Sequence, residues 1–133
     1  MNGFITQLEN RPGEMARLME ALSAQGVNVL IYAVSTGDQA AVGFVVNDEE
    51  ATRSTLRDAG FGYREIPVFT VRMEDKPGQT ASTSRRLADA GVNIEFWLPV
   101  DTSQSNFTVA LGVDNVEAAQ EALSEQITSW NYP

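Results

Sequence analysis

The chain has 133 residues, 43% of them hydrophobic and 8% aromatic, which is enough for a packed core and too apolar for a disordered segment. Eighteen acids against nine bases give a net charge of −9, which argues against nucleic acid and anionic membranes as partners. The absence of cysteine and histidine removes disulfides, thiolate or imidazole metal sites and the commonest general base.

In chain order, Phe4-Ile5-Thr6-Gln7-Leu8 reads as a short strand ending at the Pro12-Gly13 turn. Met15, Leu18, Met19 and Leu22 follow at i, i+3, i+4 and i+7, one face of a helix that Gly26 closes. A second strand is expected over Val27 to Val34, a turn over Ser35 to Gln39, and a third strand over Ala40 to Val46. The run Val29 to Val34 does not alternate, which predicts a strand covered on both faces. Asp48 is expected to cap a second helix to about Ala59, with Ala51, Leu56 and Ala59 inward, before a last strand over Tyr63 to Ile66.

The pattern then starts again. Glu9-Asn10-Arg11-Pro12-Gly13-Glu14 recurs in the second half as Glu74-Asp75-Lys76-Pro77-Gly78-Gln79, and at the same offset Gly26-Val27-Asn28 recurs as Gly91-Val92-Asn93. Over positions 9 to 29, eight of 21 residues are identical to their counterparts, where chance composition gives roughly one. The second copy is expected to place strands at Phe69 to Met73, Val92 to Leu98 and Phe107 to Val113, with a turn over Asp101 to Asn106. Its first helix carries Ala81, Ser84, Leu87 and Ala88 on one face. Its second is capped by Asp114, runs to about Ile127, and turns Val116, Ala119 and Leu123 inward; a last strand is expected at Ser129 to Tyr132. The result is β-α-β-β-α-β twice, an α+β chain of two ferredoxin-like βαββαβ modules in tandem, residues 1–67 and 68–133. Their antiparallel sheets are covered by helices on one face, and together they make one eight-stranded sheet or two packed four-stranded ones. No Gly/Ser-rich linker separates the copies, so a rigid junction is expected.

A strand, an Asp/Asn-x-Pro-Gly loop, an amphipathic helix and a Gly-Val-Asn step together resemble the ACT domain, once in each half and in register. The resemblance implies a regulatory module that binds a free amino acid or related small metabolite where two ACT modules meet, with no catalytic domain, no cofactor and no metal. It implicates Asn10, Arg11, Pro12, Gly13 and Glu14 with Asn28, Val29 and Leu30 in one copy. In the other it implicates Asp75, Lys76, Pro77, Gly78 and Gln79 with Asn93, Ile94 and Glu95. Backbone N–H groups at a helix start suit a ligand carboxylate, and an asparagine amide offers both a donor and an acceptor.

Blander readings stand beside these. The Pro-Gly pairs also serve as plain helix-starting turns, Asn28 and Asn93 suit a positive φ after a helix, and Arg11 and Lys76 read as solvated charges. Phe96 and Trp97 must point to opposite faces of their strand, one into the core and one toward an interface or pocket. Leu30, Tyr32 and Trp97 hint at an apolar or aromatic ligand. Glu49-Glu50 and Glu74-Asp75 read as surface charge, and Ser82, Thr83 and Ser84 lack a base to activate them. The expectation is a regulatory protein, not an enzyme, with a regulated partner protein and a homodimeric state. The start Met1-Asn2-Gly3-Phe4 has no basic region or apolar signal core, and no run reaches the roughly 18 apolar residues of a membrane span, so a cytoplasmic location is expected. A ligand-free dimerisation or protein-interaction module is the rival, which a ligand measurement separates.

Overall fold

A computed structural model describes residues 1–103 and 105–132. The elements are β1 (Asn2–Glu9), α1 (Glu14–Ala24), β2 (Val29–Ser35), β3 (Gln39–Val46), α2 (Glu49–Asp58) and β4 (Tyr63–Pro67). The series repeats as β5 (Phe69–Glu74), α3 (Gln79–Asp89), β6 (Ile94–Ser103), β7 (Asn106–Val113), α4 (Val116–Ala122) and β8 (Ile127–Thr128). The strands form two four-stranded sheets, ordered β2-β3-β1-β4 and β6-β7-β5-β8. The chain divides into two compact units, Asn2–Ile66 with residues from Asn131 onward, and Met1 with Pro67–Trp130. Among the described residues no helix is long and apolar enough to cross a membrane.

In the first unit, Phe4 and Leu8 of β1 alternate inward with Val42, Phe44 and Val46 of β3, against Leu18 and Leu22 of α1 and Leu56 of α2. Phe4 and Phe44, paired across β1 and β3, stack with ring centroids 5.6 Å apart. Thr6 shares the inward face and is buried because its hydroxyl donates to the Gly62 carbonyl at 2.6 Å. The second unit packs Val71, Met73, Val109, Leu111 and Val113 against Leu87, Ala119 and Leu123 in the same way. Each fully buried aliphatic side chain contributes about 1.5–3 kcal/mol.

Both first helices end alike. The Gly26 N–H reaches the Ser23 carbonyl and the Val27 N–H reaches that of Leu22, while Gly91 and Val92 repeat the pattern on Ala88 and Leu87. The positive φ that this closure needs falls on Gly26 and Gly91, both at 72°.

Several expected details differ. Asp48 caps α2, accepting from Ala51 N–H at 3.0 Å, but the cap of α4 is Asn115, accepting from Ala118 N–H at 3.1 Å. Asp114 instead accepts from Asn93 N–H at 2.8 Å, as Asn47 does from Asn28 N–H. Ala59 is exposed; Thr52 and Thr55 are buried with Leu56, each hydroxyl bonded to the carbonyl four residues earlier. The last strand is Ile127–Thr128, not 129–132, because Arg72 N–H and the Thr70 hydroxyl hold Gln126 and Thr128. β6 runs to Ser103, through part of the expected turn; Gln104 of that turn lies outside the described residues.

The run over Val29 to Val34 is not covered on both faces. β2 is an edge strand, and while Val29 and Ile31 pack on the core, Tyr32 and Val34 are 60% and 63% exposed. An apolar run does not require two covers when the strand lies at an edge awaiting a neighbour.

Candidate functional site

The two pairs of loops singled out by sequence occupy equivalent places. Gly13 and Gly78 sit at the N-cap positions of α1 and α3 with φ of 91° and 89°, a left-handed conformation that a side chain disfavours. Neither helix start carries a side-chain cap, whereas α2 and α4 both do. Each loop therefore offers helix N–H groups beside the positive end of a helix dipole.

In the first unit, Asn10 ties the loop to the β2–β3 turn. Its amide donates to Ser35 Oγ and to the Gly37 carbonyl, both at 2.8 Å, and its backbone N–H to the Asp38 carbonyl at 2.8 Å. Arg11 bridges Glu9, at 2.6 Å, and Glu14, at 3.0 Å. Arg17 approaches the other oxygen of Glu14 at 3.3 Å and lays its guanidinium 4.1 Å from the Phe61 ring centroid. Hydrogen bonds from Arg11 and then Arg17 hold the Glu14 carboxyl below the usual carboxylate range. Pro12 is exposed and turns the chain into the helix.

Asn10, Arg11 and Glu14 border a cleft of about 240 Å³ lined also by Leu8, Glu9, Met15 and Val34, with Ala33, Ser35 and Ala40. Asn28, Val29 and Leu30 are not in it. Strands β1 and β2 both run antiparallel to β3 and hence parallel to each other, so the loop after β1 lies beside the end of β2. Asn28 precedes the start of β2, about 20 Å away along a strand of this length. The structure thus gathers Asn10–Glu14 with Ala33–Ser35 and leaves Asn28–Leu30 at the other end of the sheet. Residues 33–35 were missed because Gly-Val-Asn is a conspicuous sequence step and they are not, although the parallel β1–β2 relation implied by the β-α-β-β order could have found them.

In the second unit, Asp75 N–H donates to the Ser105 carbonyl at 2.7 Å, the counterpart of the Asn10 tie. Lys76 pairs with Glu74 at 2.7 Å, and that hydrogen bond lowers the pKa of Glu74. Pro77 and Gly78 are exposed, and Gln79, half-buried, stands where Glu14 does. Asn93, Ile94 and Glu95 again lie at the far end, and Glu95 is not the partner of Leu30. β6 carries a bulge between Ile94 and Phe96, so Glu95 is an extra exposed residue, and Phe96, opposite Gly112, stands where Leu30 stands opposite Val45. The bulge also decides the aromatic pair: Trp97 packs on the helix-side core, and Phe96 is buried on the opposite face. Trp97 is therefore core-facing and not a pocket wall. Among the described residues no group of three His, Cys, Asp or Glu could hold a metal ion.

The sequence matches the family described as the ACT domain pair over residues 4–130. No curated protein matches it. Among solved structures, a protein of Bacteroides thetaiotaomicron is similar at a TM-score of 0.80 and 21% identity, over 96% of this chain and 90% of that one. The ligand-free regulatory subunit of aspartate kinase from Thermus thermophilus is similar at 0.65 and 22% identity, over 94% and 89%. That from Thermus flavus is similar at 0.60 and 24%, over 93% and 91%. At such identities these three likenesses speak for the fold alone, and the family rests on the match that spans nearly the whole sequence. The chain belongs to the ACT domain pair family.

Proposed function

We propose that this protein is a regulatory module, without catalytic activity or cofactor of its own, that binds a free amino acid at the loops opening α1 and α3. The observation that carries this is the pair of uncapped helix starts, Gly13 and Gly78, each in a repeated Pro-Gly loop at one end of a sheet. The ligand carboxylate is taken by the N–H groups of the first helical turn, and in the first module Glu14 faces the ammonium. The apolar wall of Leu8, Met15 and Val34 favours an apolar side chain.

Asn28 and Asn93 join such a site only if a second ACT module supplies them, because each lies far from its own module's loop. A β2 strand that pairs antiparallel with the edge of another module exchanges the two ends, bringing an Asn28 to a neighbouring loop. Ligand binding then stabilises one arrangement of modules, and a cytoplasmic partner protein reads that arrangement. Calorimetry of the full chain with individual amino acids tests this. One ligand should bind saturably, with affinity reduced about tenfold or more by Asn28→Ala or Asn93→Ala if a paired hydrogen bond is lost. Saturable binding that neither variant weakens would remove the asparagines from the site; no binding by any amino acid would reject the reading.

The open β2 edge favours a second reading. A regular, uncharged strand with Tyr32 and Val34 exposed suits a homodimerisation module whose pocket holds nothing. It predicts a concentration-dependent dimer whose stability is indifferent to every amino acid.

A further inference from the structure

The helix layers of the two modules differ between their paired helices, and the difference indicates an occupant. Between α1 and α2 of the first module lies a cleft of about 580 Å³, lined by Ala21, Ala24, Ala51, Thr55, Asp58 and Ala59 among others. Its walls combine the four alanine methyl groups with the polar side chains of Gln25, Ser54, Thr55 and Asp58, and the Asp58 carboxylate is 75% exposed. Arg86 is the counterpart of Ala21 in the repeat and takes the same position on α3, since each immediately precedes a core leucine, Leu87 or Leu22. Ala122 and Gln126 are likewise the counterparts of Thr55 and Ala59, following the helix cap Asn115 at the spacing with which the latter pair follow the cap Asp48.

In the second module the equivalent helix pair is bridged from within by Arg86, which stays exposed on its surface. Arg86 extends across the helix pair, its Nη2 donating to the Ala122 carbonyl at 2.8 Å and its Nη1 to Gln126 Oε1 at 3.0 Å. The Gln126 amide is fixed in turn by donating to the Thr83 hydroxyl at 3.1 Å. Where the second module lays an arginine, the first has alanine at both the Arg86 and Gln126 positions and an open cleft.

We propose that the α1–α2 groove of the first module is a docking site for an arginine side chain projected by a partner protein. The alanine methyl groups suit the aliphatic stem of arginine, and a planar guanidinium with five donors suits the side-chain oxygens of Gln25, Ser54 and Asp58. The Thr55 carbonyl is engaged by Ala59 N–H at 2.9 Å, so Asp58 supplies the acceptor that Ala122 supplies in the second module. Asp58 pairs with its neighbour Arg57 at 3.5 Å on an exposed surface, a contact that an incoming guanidinium can replace. The net charge of −9 steers a basic partner toward the protein. Lysine, a compact strongly hydrated charge, fits the groove less well.

The test is a titration of the methyl-labelled full chain with acetyl-Gly-Arg-Gly-amide, followed by NMR. Saturable shifts confined to the methyls of Ala21, Ala24, Ala51 and Ala59 are expected. Ala21→Arg, which installs the second module's own bridging arginine, should abolish them. Asp58→Lys, at an exposed position that cannot unfold the helix, should weaken binding about tenfold or more. No saturable shift at millimolar peptide, equal binding by the lysine peptide, or unchanged binding by both variants would each overturn the proposal.

Discussion

Two adjacent residues between the third strand and second helix of each module perform the same two tasks in opposite chemical order. Asn47 and Asp48 become Asp114 and Asn115; the first accepts from the N–H of Asn28 or Asn93, and the second caps the helix. Either side chain offers the oxygen each task needs, which is why the exchange is tolerated. Asp48→Ala and Asn115→Ala should each cost about 1 kcal/mol in denaturant unfolding, while Asp114→Asn stays near neutral. A cost for Asp114→Asn equal to that of Asn115→Ala would contradict the assignment. Sequence alone pointed to Asp48 and missed Asn115, because an acid beside an amide before a helix leaves the capping residue open by one position. Charge gives a second residue-scale prediction. Arg53 donates to both oxygens of Glu65, at 2.8 and 2.9 Å, and Asn2 adds a further hydrogen bond at 2.9 Å. The bonds from Arg53, ahead of the one from Asn2, hold the Glu65 carboxyl below its ordinary 4.5 and raise the Arg53 pKa. A carboxyl with a depressed folded-state pKa stabilises above its unfolded pKa, and that stability is lost as pH falls through the folded value. The melting temperature should therefore drop on acidification below about 4.5, and Glu65→Gln should lower it at pH 7 and flatten that acid limb. An acid limb of unchanged steepness in the variant would remove Glu65 from the account.

At the scale of elements, the repeat keeps one constant offset from Phe4 and Phe69 to Val29 and Ile94, and has lengthened by two positions when it reaches Phe44 and Leu111. Both extra residues lie in β6, at the register shifts between Ile94 and Phe96 and between Pro99 and Asp101. One inserted residue reverses the inward and outward faces of everything after it, so Trp97 lands opposite Leu111, where Ile31 lies opposite Phe44. A two-residue alternation read from sequence cannot locate such an insertion, because the flanking apolar residues Phe96, Trp97 and Leu98 fit either phase. The helices were legible because an apolar stripe of period 3.6 ending at glycine has few other solutions. Deleting Glu95 should turn Trp97 from the core and lower the unfolding midpoint of the second unit; an unchanged midpoint would show that the bulge does not set the register. Leu22→Ala and Leu87→Ala, both at wholly buried positions, should each cost about 2–5 kcal/mol in denaturant melts.

At the scale of the whole molecule, tandem duplication has kept the fold and let the surfaces diverge. The first loop has Asn10, Arg11 and Glu14 where the second has Asp75, Lys76 and Gln79, so the two loops proposed to bind ligand need not match in affinity or preference. The β-α-β-β-α-β order was legible from the repeat, and with it the loops that open each first helix. What sequence could not supply was the separation of those loops from Asn28 and Asn93, since that follows from which strands run parallel. The most direct measurement is a thermal-shift panel of the full chain against the twenty amino acids. One of them, at about a hundred times its dissociation constant, should stabilise the fold by roughly 2.7 kcal/mol, a rise of several degrees that Asn28→Ala or Asn93→Ala diminishes. A panel in which no amino acid moves the transition would contradict the sensor and leave the β2 edge, not a ligand, as the protein's working surface.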